Sequence, residues 1–222
     1  MIIAIDGPAG AGKSTVARAL AARLGFAFLD TGALYRSTAL IAGERGVPPA
    51  QIAGQLEISL GDRIIVEGRD VTEAIRTPEV TRQSADAAQV PEVRRALVVK
   101  QRELLNDGDW VAEGRDIGTV VAPDAELKIF LTADERERAR RRAAETGEPI
   151  ETVRDQVRRR DQQDQLRDHS PLVPAQDAVI LDTTDLSLEA VLAQIEALVP
   201  AVPATPRLFA TAPDQLRRAA RG

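Results

Sequence analysis

Gly7-Pro8-Ala9-Gly10-Ala11-Gly12-Lys13-Ser14 matches the pattern G-x-x-x-x-G-K-[ST], and Thr15 follows directly. Residue types in that order suit the binding of a phosphate chain. The glycines let the backbone wrap so tightly that its N–H groups point at phosphate oxygens. A helix starting there adds the positive end of its dipole. Lys13 supplies a compact charge for the β and γ phosphates, and the Ser14 hydroxyl is placed to ligate Mg²⁺. Such a match arises by chance in roughly one chain in a hundred of this length. The plain alternative is a glycine-rich turn ahead of a helix. Context argues against it, because the apolar run Ile2-Ile3-Ala4-Ile5 enters the loop and an amphipathic pattern leaves it. Gly7 through Thr15 therefore read as an ATP or GTP site.

Two further clusters also follow short apolar runs. Leu29-Asp30-Thr31-Gly32-Ala33-Leu34-Tyr35-Arg36 comes after Phe26-Ala27-Phe28, and Glu113-Gly114-Arg115-Asp116-Ile117-Gly118-Thr119 after Trp110-Val111-Ala112. In an open parallel sheet the carboxyl ends of neighbouring strands frame the ligand crevice. Asp30 then has two readings: a carboxylate holding a water on the metal, or the N-cap of the next helix. A third cluster is Arg160-Asp161 with Asp164 and Arg167, preceded by Arg136, Arg138, Arg140, Arg141 and Arg142. Those five could simply pair with Asp134, Glu135 and Glu137 on a solvated face, at about 0.3–0.5 kcal/mol per pair. Some could equally reach the phosphates of a nucleotide.

The elements that must position these groups are legible in outline. Ile2–Ile5, Phe26–Leu29, Trp110–Ala112, Leu127–Leu131 and Val179–Leu181 read as buried strands. Val16, Leu20 and Leu24 recur at helical spacing, with Gly25 placed to end that helix. Leu188, Val191, Leu192, Ile195, Leu198 and Val199 line one face of another. Buried strands alternating with helices predict an α/β fold with a parallel sheet covered on both faces. Short hairpin strands are expected within Ile58–Val71. From Asp134 to Asp168 the chain is almost wholly charged and polar, so it is expected to be helical, exposed and mobile, without a place in the core. The stretch 201–222 reads as a loose tail, and His169 has no assigned role.

Composition removes whole classes. The chain has 222 residues, 44% of them hydrophobic and 28% charged, enough for a real core and too apolar for wholesale disorder. With 29 basic against 34 acidic residues the net charge is −5, which argues against a general nucleic-acid binder. Only Lys13, Lys100 and Lys128 are lysines, a bias that a GC-rich genome alone would produce. The absence of cysteine excludes thiolate catalysis, disulfides and Cys-ligated metals, and a single histidine excludes multi-His zinc sites. No apolar run is long enough to cross a membrane, and the first residues lack the pattern of a signal peptide. A cytoplasmic monomer acting on a small molecule, with neither nucleic acid nor membrane as partner, is expected.

Taken together, several motifs resemble the bacterial cytidylate kinase family. They are Asp6-Gly7-Pro8 leading into the loop, Leu29-Asp30-Thr31-Gly32 with Tyr35-Arg36, Ile75-Arg76-Thr77-Pro78-Glu79-Val80, Pro91-Glu92-Val93-Arg94, Gly114 to Thr119, and Pro171-Leu172-Val173-Pro174. They occur in the family's order from about residue 2 to residue 200. The resemblance implies a P-loop kinase fold with a five-stranded parallel sheet flanked by helices, forming one domain over 1–200. It also implies a monophosphate-binding insertion at about 32–94 and an arginine-rich lid at about 133–168. Arg36 and Arg115 resemble the family's grips on the acceptor phosphate, and Arg94 and Asp116 its readers of the base. Arg160 and Asp164 resemble its sugar contacts, Arg167 a second phosphate grip, and Thr31 a hydroxyl in the acceptor pocket. One departure stands out: Ala85 occupies the place of a serine that helps hold the base. Ser84 precedes it, about 100° away around a helix.

Cytosine presents an amino donor at N4 and acceptors at N3 and O2, which suit a carboxylate and an arginine fork. Uracil reverses two of those three groups and leaves Asp116 facing a carbonyl. The expected reaction is phosphoryl transfer from ATP, with Mg²⁺, to CMP and dCMP. Lys13 neutralises charge, while Arg138, Arg141 and Arg142 are the candidates to swing in from the lid. The alternatives are a P-loop kinase of another acceptor (UMP, AMP or shikimate) and an ATP-dependent switch.

Overall fold

The protein is described from a computed structural model covering residues 1–61, 63–167 and 170–200. His169 and the 201–222 tail lie outside the described residues.

β1 (Ile2–Asp6) feeds the phosphate loop and then α1 (Lys13–Leu24), which stops at Gly25 in the left-handed region, φ 68°. β2 (Ala27–Asp30) follows. The chain then makes a long excursion: α2 (Thr31–Arg45), α3 (Pro49–Ile52), the short strands β3 (Ile58–Ser59), β4 (Ile65–Val66) and β5 (Arg69–Asp70), then α4 (Pro78–Ala87) and α5 (Pro91–Leu105). It re-enters the sheet as β6 (Trp110–Glu113) and β7 (Leu127–Thr132). The helical pair α6 (Glu135–Thr146) and α7 (Ile150–Gln165) comes next, then β8 (Val179–Asp182) and α8 (Leu188–Glu196).

The sheet has five parallel strands in the order β2-β6-β1-β7-β8. Its register sets Asp30 and Ile5 beside Glu113, so Asp6, Asp30 and Glu113 all reach the same carboxyl edge. Ile3, Ile5, Val111, Ile129 and Leu131 pack against Val16, Leu20, Val191, Leu192 and Ile195 on one face. Ala4, Leu29, Ala112, Ile117 and Val121 fill the other. The excursion between β2 and β6 has its own apolar core, and β3, β4 and β5 form the expected small antiparallel sheet. Among the described residues no helix is long and apolar enough to cross a membrane.

Three expectations need correction. The second and fifth strands are not fully buried, because they are the edges of the sheet. Ala27 is exposed, Phe28 is only partly covered with the Arg18 guanidinium 4.9 Å over its ring, and Val179 and Ile180 face outward. The last helix ends at Glu196, and Leu198 is exposed. The charged segment after Asp134 is helical as expected, yet it is not excluded from packing. α6 and α7 lie together and bury Arg138, Ala139, Val153, Val157, Asp161 and Asp164. Its few apolar residues sit on facing sides, and opposite charges pair across the gap instead of facing solvent.

Candidate functional site

The phosphate loop is shaped by what glycine alone permits. Gly7, at φ 147°, passes so near β7 that a Cβ would sit 2.1 Å from the Leu131 carbonyl oxygen. Gly10, at φ 75°, lies against α6, where a Cβ would come 2.7 Å from the Arg138 carbonyl oxygen. The loop is thus pressed between the sheet and the helical pair. Ser14 and Thr15 open α1 with their side chains exposed. Lys13 is buried, and its ammonium donates to the Pro8 carbonyl at 2.7 Å, across the loop. Burial pulls its pKa down to about 7; Arg115 pulls the same way and Glu113 opposes. Glu113 moves the other way: burial raises it, Asp30 adds to that, and Lys13 and a hydrogen bond with Ser14 oppose. An anion such as a triphosphate in this glycine-lined cradle would offset the burial of Lys13 and favour its ammonium form.

The region between the end of β6 and α7 is crowded with guanidinium groups. Arg94 and Asp116, both buried, form an ion pair. Arg115 reaches Asp164 at 2.9 Å, and Arg167 pairs with the same carboxylate. Burial and then the Arg115 charge lower Arg160 to about 10. Thr31 donates its hydroxyl hydrogen to the Glu113 carbonyl at 2.6 Å. The buried Nε atoms of Arg36, Arg94, Arg160 and Arg167 have no hydrogen-bond partner. Buried donors are normally satisfied, so four unpartnered ones on neighbouring arginines mark a place for an anion and other acceptors.

A match to the cytidylate kinase family spans residues 3–201, nearly the whole described chain. The chain belongs to the cytidylate kinase family. A cytidylate kinase from Desulfitobacterium hafniense is 50% identical over 212 residues, which cover 88% of this chain and 91% of that protein. A bifunctional pantoate ligase/cytidylate kinase from a Synechococcus species is 49% identical over 205 residues, 84% of this chain. The chain spans only 38% of that longer relative. A solved structure of an uncharacterized protein from Eubacterium ventriosum has a TM-score of 0.54 at 13% identity, over 91% of this chain and 99% of that one. It shares the fold alone. The parallel sheet, its strand order and the loop after β1 are those of a P-loop kinase fold.

Asp30 is engaged as the N-cap: its Oδ1 accepts from Ala33 N at 2.9 Å and its Oδ2 from Arg36 at 2.8 Å. Glu113, which no spacing rule singled out, is the carboxylate in contact with Ser14. Among the described residues no cluster of three acidic or histidine groups could hold a metal alone. A hydroxyl with one nearby carboxylate is instead the sparse oxygen set that suits Mg²⁺, which keeps waters and phosphate oxygens around it.

Of the three arginines expected to swing in, two are held against the body of the protein. Arg138 is buried, donates to the Ala133 and Ala9 carbonyls at 3.0 Å each, and pairs with Asp161. Asp161 accepts in turn from Ala9 N at 3.3 Å, so both polar groups of one phosphate-loop residue are held by the helical pair. Arg141 is pinned by Glu137 at 2.8 Å and the Thr183 carbonyl at 2.6 Å. Arg142 pairs with Glu145 at 3.0 Å on the surface. Ser84 is buried and gives its hydroxyl hydrogen to the Thr81 carbonyl at 2.8 Å, so it serves its own helix and not the place of Ala85.

Proposed function

We propose that this chain transfers the γ-phosphoryl group of ATP to CMP, and to dCMP, giving ADP and CDP or dCDP. The observation that carries the reading is the buried Arg94–Asp116 pair amid arginines whose Nε atoms await partners. A carboxylate beside a guanidinium matches the donor and acceptors on the cytosine edge, whereas uracil leaves Asp116 facing an oxygen. Buried polar groups left unpaired by a wrong ligand discriminate by about 10⁴–10⁵.

In this reading Gly7 through Thr15 cradle the ATP phosphates. Ser14, with Glu113 behind it, would hold Mg²⁺, which supplies charge neutralisation at the phosphates. Asp30 would act at most through water. Arg36 and Arg115 grip the acceptor phosphate, Arg160 and Asp164 the sugar, Arg167 the phosphate from the other side, and Thr31 closes the pocket. The attacking phosphate oxygen is ionised at neutral pH, so no side chain need accept a proton. Lys13 regains its full charge once phosphates surround it. α6 and α7 act as the lid, with Arg138 and Asp161 latching it to Ala9 and excluding water that would hydrolyse ATP. Arg141 and Arg142 are close enough to the loop and to Arg160 to add charge, and one well-placed arginine is worth about 10³–10⁵ in rate. Soluble nucleotide substrates fit a cytoplasmic enzyme.

The test is ADP release with Mg-ATP and a panel of CMP, dCMP, UMP, AMP and shikimate. Turnover on CMP and dCMP, with UMP far weaker, is expected. Comparable CMP and UMP rates would remove the base-reading role of Asp116. ATP binding without turnover on any acceptor would remove the enzyme.

A further inference from the structure

Asp116 immediately precedes the short π-helical turn Ile117–Val121. An aspartate in that position usually folds its carboxylate back onto the free N–H groups of its own turn. Asp116 makes no such bond. The N–H groups are taken by Asp6, from the end of β1: Oδ1 accepts from Ile117 N at 2.9 Å and Oδ2 from Gly118 N at 2.8 Å. The separation along the chain is 111 residues for the first of these bonds. Asp116 is left to face Arg94.

This division is energetically awkward, which is why it is informative. Asp6 and Asp116 are both buried and near enough to repel. Burial above all, and then the Asp116 charge, push Asp6 up to about 6, against the two N–H donors and Lys13. A turn capped by its own Asp116 would need no second buried carboxylate. We infer that Asp6 caps this turn in place of Asp116, so that the Asp116 carboxylate stays turned to Arg94 and the acceptor base. Asp6 is then a positioning residue for base selectivity, although its neighbour in sequence, Gly7, opens the loop for the other substrate. The inference rests on reading the Arg94–Asp116 pair as the cytosine site.

Asp6→Asn keeps the shape but puts an amide donor against an N–H, and the freed turn draws Asp116 back. Steady-state kinetics should show kcat/KM for CMP lowered about 10–100-fold and the CMP:UMP preference lowered about tenfold, with KM for ATP within about twofold of wild type. In an Asp116→Ala background the same change should leave the CMP:UMP preference unmoved, because the group it positions is gone. Gly118→Ala provides a second route if Asp6→Asn folds poorly. Its Cβ would meet the Lys128 chain at 3.2 Å and Asp6 Oδ2 at 3.5 Å, and the same kinetic signature is expected. Equal losses for CMP, UMP and ATP would make Asp6 a merely structural group and overturn the inference, as would an additive effect on Asp116→Ala. A wild-type protein that does not phosphorylate CMP would instead bring down the reading beneath it.

Discussion

The excursion between β2 and β6 and the helical pair α6–α7, which we propose as the acceptor-binding insertion and the lid, are built from opposite materials. The insertion folds around its own apolar core, where Leu34, Ile41, Leu56, Val66, Ile75, Val93 and Leu97 are buried together. The lid buries only Ala139, Val153 and Val157 among its apolar helix residues; Arg138–Asp161 and Arg167–Asp164 pair within it, and Arg115–Asp164 ties it to the end of β6. Apolar burial gives a stabilisation that ligand charge does not displace. Buried ion pairs roughly break even against the desolvation of their members. A cover made of them closes at little net gain, and an incoming phosphate or ribose can replace one partner with another. In the proposed reading the insertion is therefore the fixed template and the lid the exchangeable one.

Arg115 joins the end of β6 to Asp164 of α7, so its loss should have the largest effect. Arg115→Ala should lower kcat/KM for CMP by about 10³-fold or more with little change in ATP binding; steady-state kinetics and ATP titration separate the two. Arg138→Met strands a buried Asp161, at a local cost of about 3–5 kcal/mol. Limited trypsin digestion should then cut the lid at least tenfold faster while the melting temperature hardly moves. Leu97→Ala in the insertion core should do the reverse: a global loss of about 2–5 kcal/mol, seen as a melting point lower by roughly 4–20 °C.

Lys13 gives a smaller, pH-dependent signal. Free Lys13 titrates at about 7, and surrounding phosphates raise that value. Between the two, ATP binding must take up a proton. Calorimetry at pH 8 in buffers of differing ionisation enthalpy should show uptake approaching one proton per site, fading below pH 6 where Lys13 is already charged. Smallest of all, a rise to 0.5 M salt should loosen the lid by no more than about threefold in protease sensitivity, because its main pairs are buried and weakly screened.

What was legible in the sequence follows the range of the interactions. The phosphate loop is a local device, and a run of eight residues spells it out. Strands such as Leu127–Leu131 announce themselves through unbroken apolar residues. Whether a strand lies at an edge depends on sheet order, which apolar content does not encode, so Phe28 and Ile180 looked more buried than they are. The packing between α6 and α7 is hidden for a related reason. Arg138 and Asp161 are 23 positions apart, and nothing in helical periodicity reports that they meet. Glu113 and Asp6 carry no spacing signal beyond their place at a strand end. Only the register beside Asp30, and the return of the chain to the end of β1, give each its neighbours.

Hydrogen exchange resolved by peptide tests the contrast between template and cover most directly. In the free protein, amides of Ile150–Gln165 should exchange well before those of Pro91–Leu105. A non-hydrolysable ATP analogue with CMP should slow the first group by about tenfold or more and leave the second almost unchanged, whereas UMP in place of CMP should slow neither. Equal protection of both segments in the free protein, or closure of the lid by UMP as readily as by CMP, would contradict the account.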